Sequence, residues 1–549
     1  MLLRKHKTLI LLLLIFGFAL LLRLYKLGTL PSNFHEDEVL SGYIGRYIVQ
    51  NGRDTYGNLW PFLYFNKFGD YYIILPIYLS GLATYLFGIN EFATRFPAAL
   101  LGALAIIPVF ILAFFMFKNK TIALLSAFFS AILPWQIVLA RSTTEGIIGS
   151  SLFLFGVVGL IYSIKKQNNL LLILTSIIFL ITYDIYHPFR LYVPLILLPL
   201  LVLFKSHIKK KKYLLTYVGI MILFFALTVY ISTTFWGKGR FVQTSILSPV
   251  SGVSIKLNEL IFSEGQNHRL LARAFHNKVI GYGKEFINQY LTYFSPQFLF
   301  VDGWKNSRYY VPEQGLLYLS LLILLFTAIL PIKIKQPLKI DKITAGFLFY
   351  LLFLAPVPAA ITFVESPNVH RSVLLSYIIV IFSAYGFYKL LQVQYKKIPL
   401  IYGLIFLLIG EFIFFWHQYT RHMDLYSSIK RNDGQKQISL YIGEKSKSYD
   451  EIILPAEAAM SWYYLFYNKD LSTEYIGRFR LDARIDQTKK IRYIENSCPT
   501  NALNGLTFNK KILVVDRFSC TSSDQFKQID QIIGVNPLMT YRVLVPNKQ

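Results

Sequence analysis

Residues 9–22 read LILLLLIFGFALLL and follow directly on the basic segment Arg4–Lys7. A helix needs about 20 mostly apolar residues to cross the hydrocarbon core of a bilayer, and the run extended to Thr8–Leu24 has 17 residues, at the lower end of the range for a span. A cleaved signal peptide has a shorter apolar core followed by a small-x-small site, which is lacking here. The stretch therefore predicts an uncleaved first membrane span whose basic end stays in the cytoplasm.

Composition extends this prediction to the whole chain. The 549 residues are 54% hydrophobic with a mean hydropathy of +0.46, and 56 Lys and Arg against 30 Asp and Glu give a formal net charge of +26. A strong positive balance often indicates nucleic acid or anionic membrane as a partner. Only 16% of the residues are charged, however, and the apolar residues lie in long blocks. We therefore exclude a soluble enzyme, a disordered protein and a nucleic-acid-binding domain.

The lysines decide how many of the apolar blocks span. About twelve blocks are visible, and five connections between them are rich in Lys: 118–120, 165–166, 205–212, 333–342 and 396–397. Lys and Arg accumulate in cytoplasmic loops, and these five loops all become cytoplasmic only if one early block does not span. The block least suited to span the membrane is 71–88, which contains Pro76, Ser80 and Gly81. We predict about eleven transmembrane helices, with 71–88 as an interfacial or re-entrant helix on the outer side.

This topology predicts a multi-pass protein of the cell (plasma) membrane with a cytoplasmic N-terminus and an extracytoplasmic C-terminal domain. Residues 1–416 form the mostly α-helical transmembrane domain, with outer loops at 26–92 and 234–313, and residues 417–549 form the outer domain. Within this tail, 451–454, 511–515 and 541–545 resemble strands, and 456–467 and 524–533 resemble helices, so we predict a small α/β fold. Its two cysteines, Cys498 and Cys520, could pair in an oxidising compartment.

The chemistry is expected in the first outer loop, where Phe34-His35-Glu36-Asp37-Glu38 precedes an apolar pattern of helical spacing. Asp37 and Glu38 then lie at the start of an amphipathic juxtamembrane helix, whose N-terminus favours ionised carboxylates. Asp37 could accept a proton from an acceptor hydroxyl or amine. The competing interpretation is that Asp37 only caps the helix.

Arginines form a second pattern. The five inner loops contain no Arg, whereas four Arg lie at the outer ends of spans and a fifth lies in the long outer loop. Arg grips phosphate with two parallel hydrogen bonds, so these residues are candidates for binding a donor phosphate at headgroup depth, although snorkelling to ordinary lipids would give the same pattern. The candidates are Arg95, Arg141, Arg190, Arg308 and Arg371.

Other outer residues are weaker candidates for substrate binding. They are Glu145, Tyr183, His187, Tyr309 and His370. Ionisable groups close to membrane spans are often functional, but each of these residues could equally be structural. A divalent metal is conceivable on Asp37, Glu145 and His187, but the spacing of these residues does not support one and we predict no metal ligands.

These residues resemble a known family. The chain is similar to the integral-membrane glycosyltransferases of the GT-C fold, and most similar to the group that contains the family 39 protein mannosyltransferases and the aminoarabinose lipid A transferases. The resemblance rests on Asp37-Glu38 after span one, Arg95-Phe96-Pro97 entering the next span, and Ala140-Arg141-Ser142-Thr143-Thr144-Glu145 after the following one. Glu145 departs from the family, which has Asp after a longer gap.

The resemblance implies a mostly α-helical glycosyltransferase that moves a sugar, hexose or pentose, from a polyprenyl-phosphate carrier to an acceptor on the outer membrane face, with inversion. Asp37 would act as the general base, Glu38 would belong to the same motif, and outer arginines would stabilise the departing lipid phosphate. The partners would be the lipid-linked donor, the bilayer, and an acceptor protein, lipid or glycan, with no nucleic acid. The sequence names neither the sugar nor the acceptor.

Three other functions remain open at this stage. A flippase or transporter for lipid-linked sugars would share the many spans, but its charged residues would be expected near the membrane midplane. A polysaccharide polymerase or ligase would share both the topology and the donor. A receptor whose tail binds a partner is the third alternative.

Overall fold

The computed structural model describes residues 2–67, 70–264, 269–305, 307–332, 335, 338–393, 398–457, 460–472, 490–494, 496, 498–521, 523–536 and 541–547. The chain is mostly helical, as predicted. Three of the lysines that set the predicted topology, Lys333, Lys396 and Lys397, lie outside these residues.

The first outer segment connects two membrane helices through a compact unit. Helix α1 (Leu2–Leu24) is followed by α2 (Glu36–Asn51), by an antiparallel hairpin of β1 (Tyr64–Lys67) and β2 (Asp70–Ile73), and by α3 (Leu75–Phe87). Helix α2 lies directly on α3, because Gly45 and Gly81 lack side chains where the two helices meet: a Cβ on Gly45 would come within 2.2 Å of the Ile77 carbonyl oxygen. This close approach fixes the axis of α2 and so the direction in which its first turn points.

The membrane portion continues with helices that pack side by side. They are α4 (Glu91–Leu104), α5 (Ile106–Phe117), α6 (Lys120–Ile132), α7 (Pro134–Ala140), α8 (Glu145–Lys166), α9 (Asn169–Tyr183), α10 (Phe189–Leu203) and α11 (Lys211–Thr233). The chain bends by 54° between α6 and α7, where Pro134 cannot donate a helical hydrogen bond.

The long outer loop is largely helical. It contains α12 (Phe235–Thr244), α13 (Val253–Ser263), α14 (Arg269–Phe275) and α15 (Lys278–Thr292), followed by a π-helical turn at Gln297–Val301. The chain then enters α16 (Leu319–Ile329), α17 (Lys342–Leu354), α18 (Val357–Ala360), α19 (Leu374–Gln392) and α20 (Ile398–Arg421).

Seven helical segments among the described residues are long and apolar enough to span a bilayer, or eight if the bent pair α6–α7 counts as one span. The chain is thus a multi-pass membrane protein, but the predicted count of eleven is not confirmed. That count also requires α9 and α10, with 15 residues each, and α16, with 11. The non-spanning block 71–88 contains α3, whose 13 residues rise only about 20 Å.

The tail folds around a mixed sheet. After α21 (Met423–Ser427) and α22 (Gln435–Lys445), strands β3 (Glu451–Pro455), β4 (Ile491–Ile494), β5 (Ile512–Arg517), β6 (Phe526–Ile532) and β7 (Tyr541–Pro546) pair in the order β4-β3-β5-β7-β6. Helices α23 (Met460–Tyr467) and α24 (Pro499–Leu503) lie between strands in the sequence, and Cys498 and Cys520 form a disulfide. The predicted α/β character and its three strands agree with this fold.

One local prediction in the tail was wrong. Residues 524–533 form strand β6 rather than a helix. Phe526, Ile529 and Ile533 recur at helical spacing, but the segment satisfies its backbone groups by pairing antiparallel to β7, with a register shift between Gln528 and Asp530. At this edge, pairing with a neighbouring strand overrides the local pattern.

The tail also contacts the first outer loop. Side chains of α23, including Trp462, Tyr463 and Phe466, form one buried apolar cluster with the buried face of α2. The Tyr463 hydroxyl donates a hydrogen bond of 2.6 Å to the Phe34 carbonyl oxygen. Consequently the N-terminal turn of α2 lies between the membrane helices and the tail.

Candidate functional site

Asp37 stands in the first turn of α2, which begins with a capping box. His35 is the N-cap: its Nδ1 accepts a hydrogen bond from the Asp37 backbone N–H, and the Glu38 side chain accepts one from the His35 backbone N–H. This reciprocal bonding is the physical reason that the helix starts here. The capping interpretation thus applies to His35 and Glu38, and it leaves the Asp37 carboxylate available for other partners.

Three groups from other parts of the chain donate hydrogen bonds to the Asp37 carboxylate. Lys67 Nζ lies 2.7 Å from Oδ1, the Tyr72 hydroxyl 2.9 Å from Oδ1, and Arg308 Nη1 2.7 Å from Oδ2. Lys67 and Tyr72 come from the β1–β2 hairpin, whereas Arg308 comes from the last part of the long outer loop. Asp37 is therefore the point where three separate outer segments meet.

The surroundings of Asp37 keep it ionised. Burial by itself raises the pKa of the Asp37 carboxyl, but the positive charges of Lys67 and Arg308 outweigh burial and hold that pKa well below its usual range. The titratable and charged groups that face Asp37 are Lys67, Tyr72, His35, Glu36, Arg308 and His370. At neutral pH Asp37 is thus a carboxylate between two cations.

Glu38 has a different environment from its neighbour. Its side chain is 4% exposed and accepts hydrogen bonds from Arg95 Nε at 2.8 Å, Arg431 Nη2 at 2.7 Å and the Thr143 backbone N–H at 3.2 Å. Burial raises the pKa of Glu38, but Arg95 and Arg431 more than compensate and lower it to about 2. Its carboxylate is fully used in joining the outer segments, which makes Glu38 a structural member of the Asp-Glu pair.

Arg95 and Arg141 also hold the chain together. The Arg95 guanidinium donates to Glu38 and to the carbonyl oxygens of Leu27, Pro31 and Asn33. Both arginines are fully buried.

The Arg141 guanidinium donates to the Tyr419 hydroxyl and to the backbone carbonyl oxygens at the end of α1, which are those of Leu22, Arg23, Tyr25 and Leu30. With these donors already engaged inside the protein, the positions of Arg95 and Arg141 do not support the predicted grip on a donor phosphate.

A cavity of about 910 Å³ opens in front of Asp37. Seven of the residues singled out from the sequence line it: Asp37, Glu145, His187, Arg308, Tyr309, His370 and Arg371. Five others do not line it: Glu38, Arg95, Arg141, Tyr183 and Arg190. The structure therefore brings together residues from five separate segments that connect the membrane helices.

Arg190 and Tyr183 lie behind the cavity wall. Arg190 donates to the Tyr183 carbonyl oxygen at 3.3 Å, contacts His187 Nδ1 at 3.2 Å and pairs with Asp184 at 3.6 Å. The Tyr183 hydroxyl donates to Thr228 Oγ1 at 3.0 Å. Both residues therefore support the turn that presents His187 rather than facing the cavity themselves.

His370 and Arg371 also line the cavity, and both lie just before α19. His370 packs edge-on against Tyr309 with 4.4 Å between ring centroids, and its buried Nε2 has no hydrogen-bond partner among the described residues. Burial, together with the charges of Arg308 and Arg371, holds the pKa of His370 well below its usual value, so the ring is neutral at pH 7. Arg371 Nη1 donates to Thr362 Oγ1 and to the Val364 carbonyl oxygen.

Sequence reasoning missed three residues that contact the Asp-Glu pair. Lys67 and Tyr72 lie on the hairpin before α3, and the aromatic residues on both sides of Gly69-Asp70, a turn-type pair, could have indicated it. Arg431 lies in the tail, 393 residues from Glu38, and no local pattern marks it. Two exposed lysines, Lys305 and Lys430, also line the cavity.

Within the described part of the chain, no three His, Cys, Asp or Glu side chains are placed to share a metal ion. Asp37, Glu145 and His187 line the same cavity without forming such a group.

Comparison with known proteins supports the resemblance stated above. The model of the family described as dolichyl-phosphate-mannose-protein mannosyltransferase matches residues 74–254, about a third of the chain. The matched region starts after Asp37 and includes Arg95, Arg141 and Glu145. No curated protein matches.

Solved structures of two membrane proteins are similar at 12% identity. ArnT from Cupriavidus metallidurans, bound to undecaprenyl phosphate, has a TM-score of 0.47, with 98% of this chain and 97% of that chain covered. The archaeal oligosaccharyltransferase AglB from Archaeoglobus fulgidus, in complex with an inhibitory peptide and a dolichol-phosphate, has a TM-score of 0.44, with 86% of this chain covered. The chain spans 61% of AglB. The match of the family model to residues 74–254 confirms the resemblance to this group of glycosyltransferases.

Proposed function

We propose that this protein transfers a sugar from a polyprenyl-phosphate carrier to an acceptor on the outer face of the membrane, with Asp37 as the general base. One observation carries the proposal: an ionised Asp37 borders a cavity of about 910 Å³ together with Arg308 and Arg371. A base and phosphate-binding cations at one cavity are what transfer from a lipid phosphate requires, and the family match supports the same class of donor.

The reaction is a single displacement at the anomeric carbon. As the acceptor oxygen or nitrogen forms its bond to this carbon, its proton passes to Asp37 Oδ2, which has a lone pair free beside Arg308. The bond from the anomeric carbon to the phosphate oxygen breaks, and the lipid phosphate leaves with the electron pair. Attack from the face opposite to the leaving group inverts the anomeric configuration.

Arg308 connects donor binding with the strength of the base. Its guanidinium lies between Asp37 and the cavity, and its Nε donates to the Tyr309 hydroxyl at 2.6 Å. A donor phosphate in the cavity competes with Asp37 for this guanidinium. The pKa of Asp37 then rises from its low value towards the ordinary one, so that Asp37 becomes a stronger base when donor is present. Arg371 contributes a second cation to the lining of the cavity.

The proposed orientation has the N-terminus in the cytoplasm and the tail outside, and the lysine-rich loops support it. The disulfide between Cys498 and Cys520 supports an oxidising compartment for the tail.

The position of the ionisable groups also bears on the rival functions. The charged residues that line the cavity lie in loops and at helix ends, whereas a flippase or transporter would be expected to carry such residues near the midplane. A polymerase or ligase would use the same donor and differs only in its acceptor.

Mass spectrometry of lipid-linked sugars and of glycosylated products tests this function. Cells that make the Asp37→Asn chain should accumulate the lipid-linked donor and lack the product that cells with the unaltered chain make. Asp524→Asn is the matched control, because Asp524 is exposed in the tail and does not line the cavity. Equal donor and product levels in Asp37→Asn cells and unaltered cells would overturn the proposal.

A further inference from the structure

Arg431 connects the tail to the candidate site without lining the cavity. Its guanidinium is fully buried and donates to three groups on two segments: Glu38 Oε2 at 2.7 Å and the Asn33 carbonyl oxygen at 3.0 Å at the start of α2, and the Arg308 carbonyl oxygen at 3.2 Å. A fourth, longer contact of 3.4 Å reaches Ser142 Oγ. One tail side chain thus joins the start of α2, the turn after α7 and the segment that carries Arg308.

The contact with Arg308 matters most for the chemistry. Arg431 holds the backbone of Arg308, while the Arg308 side chain holds Asp37. On the other side Arg431 holds Glu38, the next residue to Asp37. Both members of the Asp37–Arg308 pair are therefore anchored to the same guanidinium, and their separation depends on it.

The two residues after Arg431 extend this connection in both directions. Asn432, at a positive φ of 55°, accepts the Glu36 backbone N–H on its side-chain oxygen at 3.3 Å. Asp433 accepts the backbone N–H of Asn536 at 2.7 Å, close to the sheet of the tail. A continuous chain of hydrogen bonds thus runs from the tail sheet through 431–433 to the first turn of α2.

From this geometry we infer that Arg431 is a positioning residue of the sugar transfer, and that the tail is a built-in part of the active site. Arg431 sets the distance between Asp37 and Arg308, on which the reaction depends. The inference rests on the proposed function. It assigns to the tail a role that is separate from acceptor binding.

Arg431→Lys is the informative variant. Lysine keeps the positive charge beside Glu38 but has a single amine in place of the planar fork, so it cannot reach Glu38, Asn33 and Arg308 together. Arg308 is then freed to move away from Asp37. Displacements of about 1 Å at a reacting group cost up to roughly 100-fold in rate, so we expect kcat to fall roughly 10- to 100-fold with little change in the KM for donor.

The pH profile separates positioning from a general loss of structure. Because Arg308 lowers the pKa of Asp37 in the donor-free protein, its departure raises that pKa, and the acid limb of the kcat/KM profile, which reports the donor-free enzyme, moves to higher pH. Arg542→Lys is the matched control: Arg542 is 9% exposed in the tail and donates to the Thr521 carbonyl oxygen, away from α2. This control should keep the unaltered profile.

The assay uses membranes from cells that make the full chain, supplied with the lipid-linked sugar fraction extracted from Asp37→Asn cells. A lower kcat with a shifted acid limb in Arg431→Lys, and neither change in Arg542→Lys, supports the inference. Should Arg431→Lys fail to insert, Asn432→Gly decides: glycine keeps the positive φ but removes the bond to Glu36, and a fall in kcat is expected.

The assay distinguishes failure of the positioning role of Arg431 from failure of the proposed function. Transfer by the unaltered chain together with an unaltered profile for Arg431→Lys, or for Asn432→Gly where the first variant does not insert, overturns the positioning role alone. Absence of transfer by the unaltered chain overturns the proposed function itself.

Discussion

Glu38→Gln provides the sharpest test of how the two adjacent carboxylates divide their roles. The Glu38 carboxylate receives five donors: Arg95 Nε and Nη2, Arg431 Nη2, and the backbone N–H groups of His35 and Thr143. Glutamine replaces one oxygen by a donor, so the contacts on that side become donor facing donor. The change also leaves two buried guanidinium groups without their shared anion.

The expected loss can be worked from this arrangement. Removing one partner of a buried ion pair destabilises a protein by about 3–5 kcal/mol. Unfolding entropy of about 2.1 cal/mol/K per residue gives about 1.2 kcal/mol/K for 549 residues. We therefore expect Glu38→Gln to lower Tm by roughly 3–4 °C if the chain unfolds as one unit.

Asp37→Asn should have the opposite effects on stability and activity. Asp37 borders an open cavity, so Lys67 and Arg308 can be hydrated when its charge is removed, and Tm should fall less than in Glu38→Gln. Sugar transfer, in contrast, should be lost. Thermal unfolding of the detergent-solubilised chain, followed by size-exclusion chromatography, measures the first quantity, and product mass spectrometry measures the second. A Glu38→Gln chain with unaltered Tm and no transfer would refute the reasoning, because it would make Glu38 a catalytic group.

Three further outcomes are expected. Lys67→Met removes one of the two cations that contact Asp37 at 2.7 Å. Because Lys67 lowers the pKa of that carboxyl, the acid limb of the kcat/KM profile should move to higher pH. A limb that stays in place would contradict the assignment. The contribution of this depressed pKa to stability is present above the unfolded-state pKa of about 3.9 and is lost only as the pH falls through the folded value. Arg141→Lys leaves at least two of five acceptors unpaired, and each unpaired acceptor costs about 1–3 kcal/mol. Tm should therefore fall while the KM for donor stays unchanged. A raised KM at constant Tm would restore a role for Arg141 in phosphate binding. Leu59 and Lys120 are both exposed. A single cysteine at Leu59 should react with an impermeant maleimide added outside, whereas one at Lys120 should react only after permeabilisation. Labelling of both positions from one side would refute the topology.

The class of the molecule could be predicted from the sequence because it depends on local composition. Apolar runs of bilayer length specify membrane helices wherever they occur, and the Lys-rich loops specify sides. The position of Asp37 at the start of a helix was also readable, because the apolar residues that follow Glu38 recur at helical spacing. Strand β6 shows the limit of such local evidence: Phe526, Ile529 and Ile533 have helical spacing, and only the neighbouring β7 makes the segment a strand.

The site itself was decided by the tertiary structure. Among the outer arginines, sequence position does not distinguish Arg141, which is enclosed by backbone carbonyl groups, from Arg308, which reaches Asp37 across 271 residues of chain. Arg431 reaches Glu38 across 393. These pairings arise because Gly45 and Gly81 let α2 lie on α3, and because the tail packs against the other face of α2. The sequence by itself determined a membrane protein with a carboxylate cluster shortly after its first span, whereas packing between distant segments determined which cations surround Asp37.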